Sequence, residues 1–163
     1  MRAGSAATTV GLFLSSLHPF CRPVQSLTMS TSSHSTTSAA PRIRVKDAGH
    51  LAVCGIYNPQ SPFKIPSGFD RTCREMRWDT ERMWERLAQP SSKVPWFEHA
   101  NGSYIYFNHG DGRWWIDGPS GAGVYIVESG SGLPTGKGWT SLSGEYDPVP
   151  QVEEVDNEEE YES

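Results

Sequence analysis

Between positions 96 and 127, apolar and aromatic residues come in short runs, each cut by a Gly- or Asn-bearing turn. Residues 103–107 alternate, which sets Tyr104 and Tyr106 on one side of a strand and Ile105 and Phe107 on the other. Asn108-His109-Gly110-Asp111-Gly112 tolerates positive φ and predicts a hairpin loop. Residues 113–117 form the return strand. Trp114 and Trp115 are neighbours in it, so they point to opposite faces and at most one is central to a core. Residues 118–123 turn the chain again, and Val124-Tyr125-Ile126-Val127 reads as a further strand. Trp96-Phe97 before Asn101-Gly102 opens the series. Residues 128–137 form a Gly- and Ser-rich loop, Trp139 opens a last short segment, and residues 144–150 close the domain. Upstream, residues 51–57 read as a first strand stopped by Asn58-Pro59-Gln60-Ser61-Pro62, because proline lacks a ladder N–H. Residues 42–45 begin the domain or end what precedes it.

One stretch changes period. Over residues 79–88, Met83, Trp84, Leu87 and Ala88 share a helical face, with Glu81, Arg82, Glu85 and Arg86 on the other. Asp79 or Thr80 is placed to accept from the first-turn amides, and Gln89-Pro90 ends the helix. Residues 64–89 read as an insertion that packs this helix on the sheet. The fold class that follows is mainly β: a small antiparallel meander with one short helix.

Charge divides the chain into three. Residues 1–46 carry five bases and no acid, residues 151–163 carry seven acids and no base, and the middle carries nine bases and twelve acids. A slightly acidic middle argues against a nucleic-acid surface. All six tryptophans lie in it, so this is the part that folds. Residues 1–41 read as a targeting or disordered leader. The apolar stretch 10–17 is far too short to span a membrane, and residues 26–40 are rich in Ser and Thr. Acid-poor, hydroxyl-rich leaders resemble transit peptides, which points to an organelle, plastid or mitochondrion; a start at Met29 would leave the chain cytoplasmic. Residues 42–150 form the aromatic-rich domain, and residues 151–163 an acidic, disordered tail.

The search for chemistry returns little. Cys54 and Cys73 read as reduced, partly buried thiols, with no partner at metal-ligand spacing. His99 and His109 sit beside turns and are expected to be exposed; no third metal ligand accompanies them. Asp111 and Asp117 flank the return strand like a carboxylate pair, but solvation at a turn and a strand end accounts for both. Residues 132–138 hint at a phosphate loop, yet Ser131 stands where Gly is needed and Gly138 where Ser or Thr is needed. Asn101-Gly102-Ser103 is a glycosylation sequon, which has meaning only in a secreted chain. No nucleophile–base or metal constellation is present. The expectation is a protein that is not an enzyme, with no cofactor, no metal site and no catalytic residue.

Two resemblances stand on particular residues. Gly55-Ile56-Tyr57, Trp96-Phe97, Asn101-Gly102, Tyr104-Ile105-Tyr106, Trp115-Ile116, Trp139 and Pro148-Val149-Pro150 together resemble a recurrent small aromatic-rich β-module of algal and protist proteins. That likeness covers about residues 43–150. It implies a fold but no established activity, and residues 64–89 depart from its pattern. Trp96, Tyr106-Phe107-Asn108-His109, Trp115 and Pro119 are also similar to WW domains, which hold Pro-rich peptides in an aromatic groove. Here the loop before Trp115 is shorter than in that family, Gly112 and Arg113 replace its hydroxyl residues, and strands continue past Pro119.

The functional expectation is a non-catalytic binding module with an aromatic face at Tyr104, Tyr106, Trp114 and Trp115. Such a face buries area at small entropic loss against a peptide or protein partner, and a sugar ring would also fit it. The alternative is an accessory structural subunit of an organelle complex, in which the same aromatics are plain core.

Overall fold

In the computed structural model, residues 40–130 and 132–155 are described. They form an eight-stranded antiparallel sheet: β1 (Arg42–Lys46), β2 (Gly55–Gln60), β3 (Trp96–His99), β4 (Tyr104–Asn108), β5 (Arg113–Asp117), β6 (Gly123–Glu128), β7 (Thr140–Ser141) and β8 (Gln151–Val155). The spatial order is β7-β6-β5-β4-β3-β2-β1-β8. Seven strands thus follow one another as a meander, and the eighth returns to pair with the first. The expected mainly β class holds. The leader lies outside the described residues except for its last two, and so do residues 156–163 of the tail.

The inward alternation is the one the sequence sets. Ile105 and Phe107 of β4 join Ile43, Val45, Tyr57, Phe97, Trp114, Ile116, Val124, Tyr125, Val127 and Trp139 in one core. The sheet curls around it, and Gly136, in the loop before β7, bridges to Val152 of β8. Inside, Trp114 is fully buried and its indole N–H donates to the Gly130 carbonyl at 3.0 Å. Tyr57 donates to the Val53 carbonyl at 2.7 Å, so each of these polar-tipped rings carries its own partner.

Three boundaries differ from expectation. Residues 51–53 form a 3₁₀ turn rather than strand, with Val53 plugging the core and Leu51 exposed. Asn58 and Pro59, expected to end the first strand, lie inside β2, opposite Glu98 and Phe97 of β3. Proline is tolerated there because β1 pairs only with Gly55, Ile56 and Tyr57, which leaves that side of β2 without a ladder partner. Residues 151–155, expected to be tail, are β8. The basic strand β1 explains this: Glu153 stands opposite Arg44 and forms ion pairs with Arg44 at 3.4 Å and Lys46 at 2.9 Å, while Val152 and Val155 are buried. Alternation within the acidic run supplies an apolar face, and the opposed bases relieve its repulsion.

The insertion holds two helices, α1 (Ser67–Met76) and α2 (Thr80–Ala88). The expected helix is α2. Asp79 caps it by accepting from the Arg82 amide at 2.9 Å, and Trp84 and Ala88 are its buried residues along with Thr80. Helix α1 buries Phe69 and Cys73 and ends at Arg77 in the left-handed region, with the Trp78 amide donating to the Cys73 carbonyl at 2.8 Å. Its first turn lies against the β5–β6 hairpin through a pair of glycines. A Cβ on Gly68 would sit 3.0 Å from both Gly121 N and Tyr104 Cε1, and one on Gly121, at φ +89, would overlap the Gly68 carbonyl. Gly121→Ala is therefore expected to destabilise by about 2 kcal/mol, from left-handed strain plus the displaced helix. The check is thermal unfolding beside Gly112→Ala. Gly112 also has positive φ, but a Cβ there meets nothing within 4 Å, so it should cost less.

Candidate functional site

The two helices cover the other face of the same strands. Because β4 and β5 pair with Tyr104 opposite Asp117 and Tyr106 opposite Trp115, these four side chains share that face. Trp84 and Phe69 come down on them from the helices, with Phe69 edge-on to Trp84 at 5.0 Å and to Tyr106 at 6.2 Å between ring centroids. Trp84 also meets Trp96 edge-on at 6.0 Å. The result is a second aromatic cluster separate from the first core.

Coverage is incomplete. A half-open cleft of about 330 Å³ remains between helices and sheet, lined among others by Phe69, Cys73, Trp78, Met83, Leu87 and Trp115, with Tyr104, Tyr106 and Asp117 also on its walls. That volume is at the lower end for an occupied site. Trp78, in the link between the helices, is 47 % exposed at this cleft. Trp115 is half-buried, and its indole N–H donates to Asp111 Oδ2 at 2.9 Å, which fixes the ring. A wider recess of about 570 Å³ lies where residues 136–138 meet β8. Glycines and largely exposed residues form its walls, so it is a surface groove.

The sequence places four aromatics on one binding face, and the structure separates them. Trp114 belongs to the first core and presents nothing to solvent. Tyr104 and Tyr106 lie on the second face but beneath the helices, 0 % and 5 % exposed. Of the four, Trp115 alone reaches the surface. Trp78, Met83, Leu87 and Phe69 complete the cleft, and these the meander pattern does not point to.

Asp117 is the residue whose setting departs furthest from expectation. Rather than being solvated at a strand end, it is 5 % exposed. The β5–β6 register shifts between Ile116 and Asp117, a bulge that sets Asp117 against Gly123 rather than Val124. Its Oδ1 and the Tyr104 hydroxyl are both buried, with no hydrogen-bond partner besides each other. Burial pushes the Asp117 carboxyl up to about 7, and the nearby Tyr104 hydroxyl, which favours the anion, offsets only part of that rise. Burial likewise raises the phenols of Tyr104 and Tyr106 and the thiol of Cys73, so all three are neutral at ordinary pH.

The histidines are half-buried rather than exposed. His99 Nδ1 lies 3.0 Å from the Ile56 carbonyl, and His109 Nε2 lies 3.3 Å from Ser92 Oγ, its pKa lowered by burial. Cys54 and Cys73 are free thiols. Among the described residues no group of three or more His, Cys, Asp or Glu could hold a metal ion, and no helix is long and apolar enough to cross a membrane. Comparison of the chain with protein-family models, curated proteins and solved structures finds no match.

Proposed function

We propose that this chain is a non-catalytic binding module, and that the cleft between the helix pair and the second sheet face receives a side chain of a peptide or protein partner. The observation that carries this reading is the cleft itself: an apolar hollow of about 330 Å³ walled by ordered aromatic rings, with Trp78 47 % exposed at it. Large aromatics around a pocket supply most of the energy in peptide and protein recognition. A small molecule confined to the hollow would leave the outer part of Trp78 in water, whereas a partner with a surface of its own would cover it.

Selection of peptides from a random displayed library on the full-length chain tests this. Selected peptides are expected to lose at least about tenfold in affinity for Trp115→Ala and for Leu87→Ser, in keeping with hot-spot truncations of about 2 kcal/mol or more. Circular dichroism would confirm that each variant is folded. Peptides that bind both variants as they bind the parent would refute the cleft as the site. The alternative, an accessory subunit of an organelle complex, is favoured by Leu51 and Phe63, which are 79 % and 73 % exposed. It predicts that substituting these two, rather than the cleft residues, releases the chain from its assembly.

A further inference from the structure

Most of the cleft wall is apolar, and one polar place in it is unfinished. Asp117 Oδ1 and the Tyr104 hydroxyl face each other across the β4–β5 ladder, buried, and neither has a hydrogen-bond partner besides the other. A buried carboxylate ordinarily accepts several hydrogen bonds, and one left with a single phenol in a cavity wall marks a site completed by something else. What completes it must bring hydrogen-bond donors, since a carboxylate only accepts. It must also bring an apolar body to lie against Met83, Leu87, Phe69 and Trp115.

Charge narrows the choice further. Burial raises the Asp117 carboxyl, and among the described residues no cation offsets that rise. The carboxylates of Asp111, Asp70 and Asp79 all bear on cavity-lining groups, Asp111 on Tyr106 and the other two on Cys73. Asp70 is engaged by Arg74 at 2.8 Å, while Asp111 and Asp79 bond neutral N–H donors. Arg86 reaches Met83 Sδ at 3.3 Å on the outer wall, so the attraction for a cation comes from the Asp117 carboxylate and the aromatic faces around it.

On the reading that the cleft holds a partner's side chain, we propose that this side chain is a lysine. Its aliphatic stem lies along the apolar walls and its ammonium donates to the Asp117 carboxylate. An arginine suits the site less, because its planar guanidinium is broader than a compact ammonium and a single carboxylate lines the hollow. A lysine stem buries well while its head keeps a charge partner.

The pairing is coupled to pH. Lining the cleft with Asp117 are Tyr104 and Tyr106 from β4, Cys73 from α1, Met83 and Leu87 from α2, and Gly123 from β6. The titratable ones among these are held neutral by burial, so Asp117 is the group that changes charge near neutrality. The ammonium needs the ionised carboxylate, so binding strengthens as pH rises through about 7.

The test uses the full-length ¹⁵N-labelled chain and the Trp115 indole N–H as reporter. The probes are three capped pentapeptides, Gly-Gly-X-Gly-Gly, with X as lysine, norleucine or 6-hydroxynorleucine. At pH 8 the lysine peptide is expected to bind at least about tenfold more tightly than either neutral peptide. At pH 6 it should bind about tenfold more weakly than at pH 8, as the ionised fraction of a group near 7 falls. Asp117→Asn should remove the lysine preference at both pH values. Neutral peptides binding as tightly as lysine at pH 8 would overturn the lysine anchor and leave the cleft reading standing. No response at Trp115 to any of the three would overturn both. The pH comparison needs no variant, so it decides the matter even if Asp117→Asn fails to fold.

Discussion

Trp114→Ala should destabilise the domain by about 3–5 kcal/mol, while Trp115→Ala, one residue away, should cost about 1 kcal/mol. Trp114 is fully buried, edge-on to Phe107 at 5.4 Å and tilted against Phe97 at 6.2 Å, and its removal opens a cavity in the middle of the curled sheet. It also removes the hydrogen bond from its indole N–H to the Gly130 carbonyl. Trp115 lies half-buried on the far face, and water can fill the space it leaves. Domains of this size have a total stability of about 5–15 kcal/mol, so the first variant is expected to populate the unfolded state visibly and the second to remain native. Urea unfolding of both, followed by far-ultraviolet circular dichroism, checks this. Equal losses at the two positions would contradict the assignment of Trp114 to the core and Trp115 to the cleft.

That contrast was half legible in the sequence. Period-two alternation says that Trp114 and Trp115 point apart, and it pairs Tyr104 with Tyr106 against Ile105 with Phe107. It does not say which face closes on itself. That is settled by the long-range events that the local pattern leaves open: the return of residues 151–155 onto β1 and the bridge from Gly136 to Val152. Seven acids in residues 151–163 mask a strand whose buried apolar residues, Val152 and Val155, are few and whose charge repulsion is relieved by the bases opposite. Helix α1 is masked in another way. Phe69, Cys73 and Met76 keep helical spacing, but Gly68 and Thr72 weaken its propensity, and Gly68 is there for close approach to Gly121.

The site was legible in its parts but not in its assembly. Tyr104, Tyr106 and Trp115 are found by alternation alone. Trp78, Met83 and Leu87 join them only because the insertion folds back over β4 and β5, a contact between segments with no shared pattern. Asp117 offered a signal that was available: it stands two residues after Trp115, hence on the same face, and the hairpin register places it opposite Tyr104. A charged residue at a strand end is ordinarily solvated, and here the helix pair lying over that end reverses the expectation.

The same carboxyl gives the second large effect, and its sign runs against the usual behaviour of acids. A carboxyl near 3.8 in the unfolded chain and about 7 in the folded one holds a proton in the fold that the unfolded chain releases. Its contribution is complete below about pH 4, declines as pH rises towards 7, and is flat above that. The unfolded chain gains about 1.4 kcal/mol over the fold for each pH unit crossed between those two values, a loss of about 4 kcal/mol in all. Glu153 acts in the opposite direction, because Lys46 and Arg44 hold it below its usual range and its stabilisation is lost on acidification. The difference between wild type and Asp117→Asn isolates the buried group. The two are expected to be equally stable at pH 4 within about 1 kcal/mol, and the variant more stable at pH 8 by about 2–4 kcal/mol. Denaturant midpoints across that range measure it, and parallel curves would mean that Asp117 ionises in the fold as freely as in the unfolded chain. A carboxyl that weakens the fold at neutral pH is difficult to explain as structure, since asparagine would serve better. It is intelligible as a group held ready for a cation, so the variant that gains stability should be the one that loses the lysine.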